Sequence, residues 1–238
     1  MQPLPLQKKG SEGFSLAELV VAMAITLAVM AMASTLIASA FRIRARENQK
    51  TDALADVQRG LNIMSREIAN AGFNLNTNGI VAADSTATTI RVRSNLNKFN
   101  TSVSQEARNG IGLSSVLGED EGEDVKYFRN LALDTQYLAR WDEFTAYARR
   151  GTVLANRIDS LKIHYFGQPV TYTTPEGGSD VTNLSSPEVT PDAAKYVVIA
   201  LSVTLNEVGT RNSPGYQPER HLLLVSDVTL RNSGLSTY

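Results

Sequence analysis

Glu18 is the residue whose type and position ask for chemistry. It stands directly before Leu19–Phe41, a run of 23 residues without a charge. A carboxylate held in the apolar part of a membrane helix costs roughly 2.5–3.5 kcal/mol, less near an interface. Two readings meet that cost. Glu18 can find a cation and serve as a docking charge, or it can reach up to the headgroups as an end-of-span acid does. Other candidates for chemistry are sparse. Cysteine is missing, which excludes disulfides, thiol catalysis and thiolate metal sites. His164 and His221 fall in separate strand-like segments, where a lone histidine is ordinarily a packing or surface residue. The acidic stretch GEDEGED (118–124) lacks the alternating order of a calcium loop and reads as a solvated turn. RSNLNKFN (93–100) reads as a polar loop of the same kind. There is no G-x-S-x-G elbow and no glycine-rich phosphate loop after a strand. These residues assemble no catalytic constellation, so the expectation is a non-enzymatic protein without cofactor or metal.

The net charge of -1 gives no bulk attraction to nucleic acid. At about 1.5 Å per residue the uncharged run spans roughly 34 Å as a helix, enough for a bilayer core. It exceeds the apolar region of a secretory signal, about 7–15 residues, and no small-x-small cleavage site follows it directly. Lys8 and Lys9 precede the span; Arg42, Arg44, Arg46 and Lys50 follow it. The basic residues therefore give no clear orientation.

KKGSEG followed by FSLAELVVAMAI (8–25) resembles the type IV prepilin signal. In that family a short basic leader ends in Gly, the next residue is usually Phe, the fifth is Glu, and an apolar helix follows. Gly13, Phe14 and Glu18 stand in those places. A cut at the other nearby glycine, Gly10, would misplace the acid. The sequence departs from the family pattern in two respects. Ser11 and Glu12 separate the lysines from Gly13, and Ala17 stands where a larger aliphatic is common. The resemblance implies cleavage after Gly13 by a prepilin peptidase on the cytoplasmic face, then N-methylation of Phe14. It implies that Glu18 of one subunit pairs with the Phe14 amine of a neighbour and sets axial register. It places the chain in the inner membrane as a single-pass protein with its C-terminal domain in the periplasm, and in the pilus after assembly.

Past the span, Leu54, Val57, Leu61, Met64 and Ile68 recur at 3, 4, 3, 4 spacing, an apolar stripe fit to pack on the protein's own sheet. Gly60 alone weakens this half, and Gly72 is a candidate C-cap. No proline interrupts Pro5 to Pro169, so one helix is expected from about 15 to 71. Strands are expected at 88–93, 124–129, 136–140, 157–166, 196–205 and 221–232, with an exposed hairpin loop over 171–193 and Trp141 in the core or a subunit contact. The fold class is α+β: a long N-terminal helix on an antiparallel sheet. The divisions are a leader (1–13), a transmembrane half (14–43), an amphipathic half (44–72) and a β-rich periplasmic domain (73–238).

DVQRGLNIMSREIANAGF (56–73) is similar to the post-membrane helix of PilW-like minor pilins, with Arg66, Glu67, Ile68, Ala71 and Gly72 in its terminal pattern. VLANRIDSLKIHYF and SDVTLRN resemble strands of that family. The implied function is a minor pilin that helps initiate or cap a type IV pilus. Its partners would be other minor pilins, a major pilin and inner-membrane lipid, with no nucleic acid. J-type pseudopilins of type II secretion share this architecture. A membrane-anchored ligand-binding protein that never assembles is the alternative of another class.

Overall fold

The computed structural model describes residues 15–75, 77–96, 122–131, 136–145 and 147–233. Its longest element is helix α1, Leu16–Ala69, 54 residues and so about 81 Å long. Among the described residues, the rest of the chain meets it from Ser39 onward, chiefly along the second half. There Val57, Leu61, Met64 and Ile68 are buried, and each full burial is worth about 1.5–3 kcal/mol. Leu54, the first residue of the expected stripe, is only half-buried.

Among the described residues seven strands follow: β1 (Thr89–Arg93), β2 (Asp124–Asn130), β3 (Tyr137–Asp142), β4 (Gly151–Asn156), β5 (Ile158–Phe166), β6 (Tyr196–Leu205) and β7 (Arg220–Thr229). They form two antiparallel sheets in chain order, β1-β2-β3-β4 and β5-β6-β7. The single expected sheet is thus split, and the expected strands omit β4. Chain direction changes at Arg157, which lies between β4 and β5 with φ +58°. The sheets remain joined: Ile158 N–H donates to Gln136 O at 3.1 Å and Ile163 N–H to Ala87 O at 2.9 Å. One apolar cluster runs through both sheets and the lower helix, which lies across β4, β6 and β7.

Gly60 is where helix and sheet come closest. A Cβ there would stand 3.0 Å from Leu138 Cδ2 and 3.6 Å from Ala155 Cβ. The helix ends at a C-cap on Asn70, and two residues later Gly72 turns with φ +76°. Its N–H donates to Arg93 O at 2.9 Å, tying the helix end to the edge of β1. At Gly79 the returning chain passes so close that a Cβ would sit 2.0 Å from Gly72 N, which only glycine permits.

Strand β6 is buried on both faces. Val197, Ile199, Leu201 and Val203 face the helix side, as their alternation predicts. Tyr196, Val198 and Ala200 lie on the other face in a second apolar cluster with Phe166, Val170 and Val181. The stretch 171–193 supplies that cover. It forms a hairpin bridged at Thr173 and Thr182, and it tucks Tyr172, Val181 and Leu184 under itself, so it is not wholly the exposed loop the polar sequence suggests.

Candidate functional site

Ser15 is the N-cap of α1 and Glu18 its third helical residue. Ser15 Oγ accepts from Glu18 N–H at 3.2 Å, and Glu18 Oε2 accepts from Ser15 N–H at 2.9 Å. This is a capping box: two of the orphan donors at a helix start satisfied reciprocally. The S-x-x-E spacing that builds it was readable in the sequence, yet the carboxylate's apolar surroundings drew the reading toward a distant cation instead. The box folds the Glu18 carboxylate back toward the N-terminal end, where the helix dipole favours negative charge. Oε2 is engaged there, while Oε1 has no partner among the described residues. Gly13 and Phe14 lie outside the described residues.

Beyond the cap the helix is bare. Leu19, Val20, Met23, Leu27, Met30 and Leu36 are each more than half exposed. This helix is long and apolar enough to cross a membrane, and none of the described residues covers its most apolar window. Its hydroxyls are turned inward on its own backbone: Thr26 Oγ1 donates to Ala22 O, Ser34 Oγ to Met30 O and Thr35 Oγ1 to Met32 O, each at 2.8 Å. An uncovered helix in lipid must satisfy its polar groups locally in this way.

A collar marks where cover begins. The β6–β7 connection, residues 206–219, grips the helix at Ser39, Arg42 and Arg46. Arg42 NH1 donates to Ser213 Oγ and Pro214 O, both at 2.5 Å. Arg46 is buried, with NH1 donating to Leu205 O at 3.0 Å and Asn206 O at 2.6 Å and NH2 donating to Pro218 O. Gly215 approaches so closely that a Cβ would be 2.6 Å from Ser39 Cα.

Further along, Glu67 locks the helix to the first sheet. It accepts from Tyr127 OH, and its Oε2 from Arg140 Nε at 3.0 Å. Arg140 NH1 in turn lies 3.3 Å from Asp142 Oδ2. Burial and the facing Glu67 charge push the Tyr127 hydroxyl pKa well up, so it stays protonated and donating. Ser65 Oγ and Ser226 Oγ meet at 2.7 Å to tie the helix to β7. The upper helix continues without a break from the part of α1 that these contacts lock to the sheets.

The remaining residues singled out in the sequence are scattered. His164 lies between two carboxylates, with Nδ1 2.7 Å from Glu188 Oε1 and Nε2 2.8 Å from Asp180 Oδ1. His221 Nδ1 meets Thr204 Oγ1 at 2.8 Å. Trp141 is neither core nor buried: it is half-exposed on the sheet face away from the helix, its Nε1–H donating to Glu143 Oε2 at 3.1 Å. In the acidic stretch, residues 118–121 lie outside the described residues. Glu123 accepts from Leu96 N–H at 2.8 Å, and Asp124 holds Arg91 and Arg93 at 2.7 Å each.

With this geometry in view, the family comparison bears on the first turn. The model of the prokaryotic N-terminal methylation motif matches residues 8–34, spanning the glycine, the capping box and most of the bare helix. No match was found among curated proteins or solved structures. The motif and the uncovered helix support a type IV pilin-like protein, anchored in a membrane by a single pass and structural in character. The motif also implies processing by a prepilin peptidase and assembly with other pilins.

Proposed function

We propose that the chain is a minor pilin of a type IV pilus, cleaved after Gly13 and N-methylated on Phe14. The transmembrane half (14–43) and amphipathic half (44–72) act as one rod, and the β-rich domain (73–238) stands in the periplasm until assembly. Subunits bundle through the bare helix, with the Glu18 carboxylate taking the Phe14 amine of a neighbour and so fixing axial register. The sheet body then faces other minor pilins where the filament is initiated or capped.

The observation that carries this reading is the capping box. It holds Glu18 at the head of an apolar helix that none of the described residues covers. The carboxylate is already ordered, so little entropy is lost when a cation docks on its free side. Ion pairing then offsets the cost of an acid in apolar surroundings.

The test is the mass of the N-terminal peptide from native membrane-associated protein, read beside a Glu18→Gln variant. The expected peptide begins at N-methylated Phe14 in both forms, and the variant no longer co-purifies with pilins. A chain still beginning at Met1 overturns the reading in favour of an anchored protein that does not assemble. Co-purification of the processed chain with secretion pseudopilins, and not with pilins, makes it a J-type pseudopilin of type II secretion.

A further inference from the structure

The collar is also a ring of charge, and its level on the helix decides what it faces. About 20 helical residues cross the hydrocarbon core of a bilayer, and the headgroup layer adds about 5–8 Å on each side, or about three to five residues more. Counted from Leu19, where the uncharged run begins, the core ends near residue 38 and the headgroups reach about residue 43. That is the level the collar grips. A Cβ on Gly215 would stand 2.6 Å from Ser39 Cα, and one on Gly209 would stand 3.0 Å from Arg42 Cδ. Ser213 and Pro214 take the Arg42 guanidinium itself. The 206–219 connection therefore lies beside the stretch of helix that leaves the hydrocarbon.

The charge at this level is one-sided. Residues 39–46 and 206–219 carry four arginines against two glutamates, and one turn further Glu47 and Lys50 cancel. Arg42 and Arg46 donate to a hydroxyl and to carbonyls, which satisfy their N–H groups and leave their charge in place. These two are four residues apart and face the loop; Arg44, between them, falls on the opposite side of the helix. It is exposed and makes no ion pair among the described residues. Arg211 in the loop is 82% exposed, its Nε 3.8 Å from Glu207 Oε2. Glu207 is engaged more closely by the Tyr216 hydroxyl, at 2.6 Å, and Glu219 lies 3.8 Å from His221 Nε2. Free positive charge thus surrounds the stem of the helix.

We propose that the collar is a second membrane contact: loop 206–219 rests in the headgroup layer, and Arg44 and Arg211 take the phosphates of anionic lipids. A phosphate suits an uncommitted guanidinium, and an anionic leaflet supplies it at this depth. Tyr216 is the type of amphipathic ring that belongs in the same layer. An acidic protein surface also offers oxygens, but it would have to reach these arginines among the headgroups. The contact fixes the depth of the span and holds the sheet body against the bilayer. It rests on the single membrane pass and not on the choice among pilins, and it holds for either orientation of the span.

The chain has no cysteine, so one introduced cysteine carries one fluorophore. Three exposed positions are used: Thr210→Cys in the loop, Leu36→Cys in the span and Ala83→Cys near the other end of the helix. Each full-length chain is placed in phosphatidylcholine nanodiscs with a trace of lipid bearing a nitroxide high on one acyl chain. That lipid has either a phosphatidylglycerol or a phosphatidylcholine headgroup, so quencher depth is constant and only charge differs. The loop and span labels are expected to be quenched and the third label not. At the loop the phosphatidylglycerol quencher should act at least about twofold more strongly, since each basic residue at an anionic surface contributes about fivefold. Arg44→Gln with Arg211→Gln should make the two quenchers equal there. Both side chains face solvent; should the pair fail to fold, Arg44→Gln alone shifts the preference in the same direction. Quenching in the span but not in the loop overturns the proposal and leaves the membrane pass standing. Equal quenching by both lipids in the parent chain, or a preference that survives both substitutions, overturns it as well. Silence at both positions removes the membrane pass along with the proposal. None of these outcomes alters the N-terminal mass, so failure here is separate from failure of the pilin reading.

Discussion

The two halves of α1 share one backbone and meet opposite surroundings. Residues 16–41 present aliphatic side chains on every side and turn their few hydroxyls onto the helix itself. From Arg42 on, apolar residues retreat to one stripe, and polar ones reach outward to the sheet body. What changes is the cover. The lower half is covered by the chain's own strands, so its side chains are spent on folding. Above the collar, none of the described residues covers the upper half, so its side chains remain for lipid and for other helices. A carboxylate shows the contrast most sharply. Glu67 is consumed by Tyr127 and Arg140, while Glu18 has one oxygen without a partner among the described residues.

The strongest test of this division is to make the same kind of deletion on both sides of the collar. Met64 is fully buried, and Met64→Ala should destabilise the sheet body by about 2–5 kcal/mol. Leu27→Ala, on the bare half, should leave the unfolding midpoint of the body where it was. Denaturant melts of the two variants in detergent decide it, and equal losses would mean the upper helix is part of the folding unit. The paired acids come next. Glu67→Gln removes the carboxylate that joins Tyr127 and Arg140 to the helix, leaving Arg140 only its longer contact to Asp142, and should cost about 1–3 kcal/mol. Glu18→Gln should leave stability unmoved, since the amide can still accept from Ser15 N–H, and should act on assembly alone.

At the boundary itself, Arg46→Met strips three carbonyls of their donor and should cost about 1–3 kcal/mol, confined to the collar. Faster amide exchange over 206–219, with β2 and β3 unaffected, is the expected pattern.

The sequence announced this division more clearly than it announced the sheets. Charge spacing alone separated the halves, because lipid and core demand different periodicities. Val57, Leu61, Met64 and Ile68 were legible for the same reason. The split into two sheets was not. GTVLAN carries no alternation, and its turn into β5 depends on one left-handed residue, Arg157, whose type gives no sign of that conformation. The lock that Glu67 makes was hidden in the sequence because its partners lie 60 and 73 residues away. The surroundings of Trp141 were hidden likewise: Lys126 and Trp141 become neighbours only through strand register. The cover over β6 was masked by the polar composition of 171–193, in which Tyr172, Val181 and Leu184 are spaced too widely to read as a face.

That hairpin offers the finest contrast between covered and uncovered apolar surface, because its hold is titratable. His164 projects from β5 with Glu188 and Asp180 against its two ring nitrogens, and the indirect neighbours on that face are Lys162 and Asp227. A neutral imidazole has one N–H and must turn a lone pair toward the second carboxylate; only the imidazolium donates to both. Burial by itself would lower the imidazole pKa, but the hydrogen bonds to Glu188 and Asp180 outweigh it, so the net shift is upward. A raised pKa in the fold means the contribution is full below about pH 6.5, the unfolded value, and fades as pH rises through the folded one. Glu188 is 46% exposed, so solvent screening keeps the effect under about 1 kcal/mol. Amide exchange at Val181 and Val198 should therefore be slower at pH 6 than at pH 9 once intrinsic rates are divided out, and His164→Gln should remove that dependence. If exchange at these amides proves independent of pH in the parent chain, the apolar cluster alone holds the hairpin, and the ion pairs are bystanders to a cover already made by Phe166, Val170 and Tyr196.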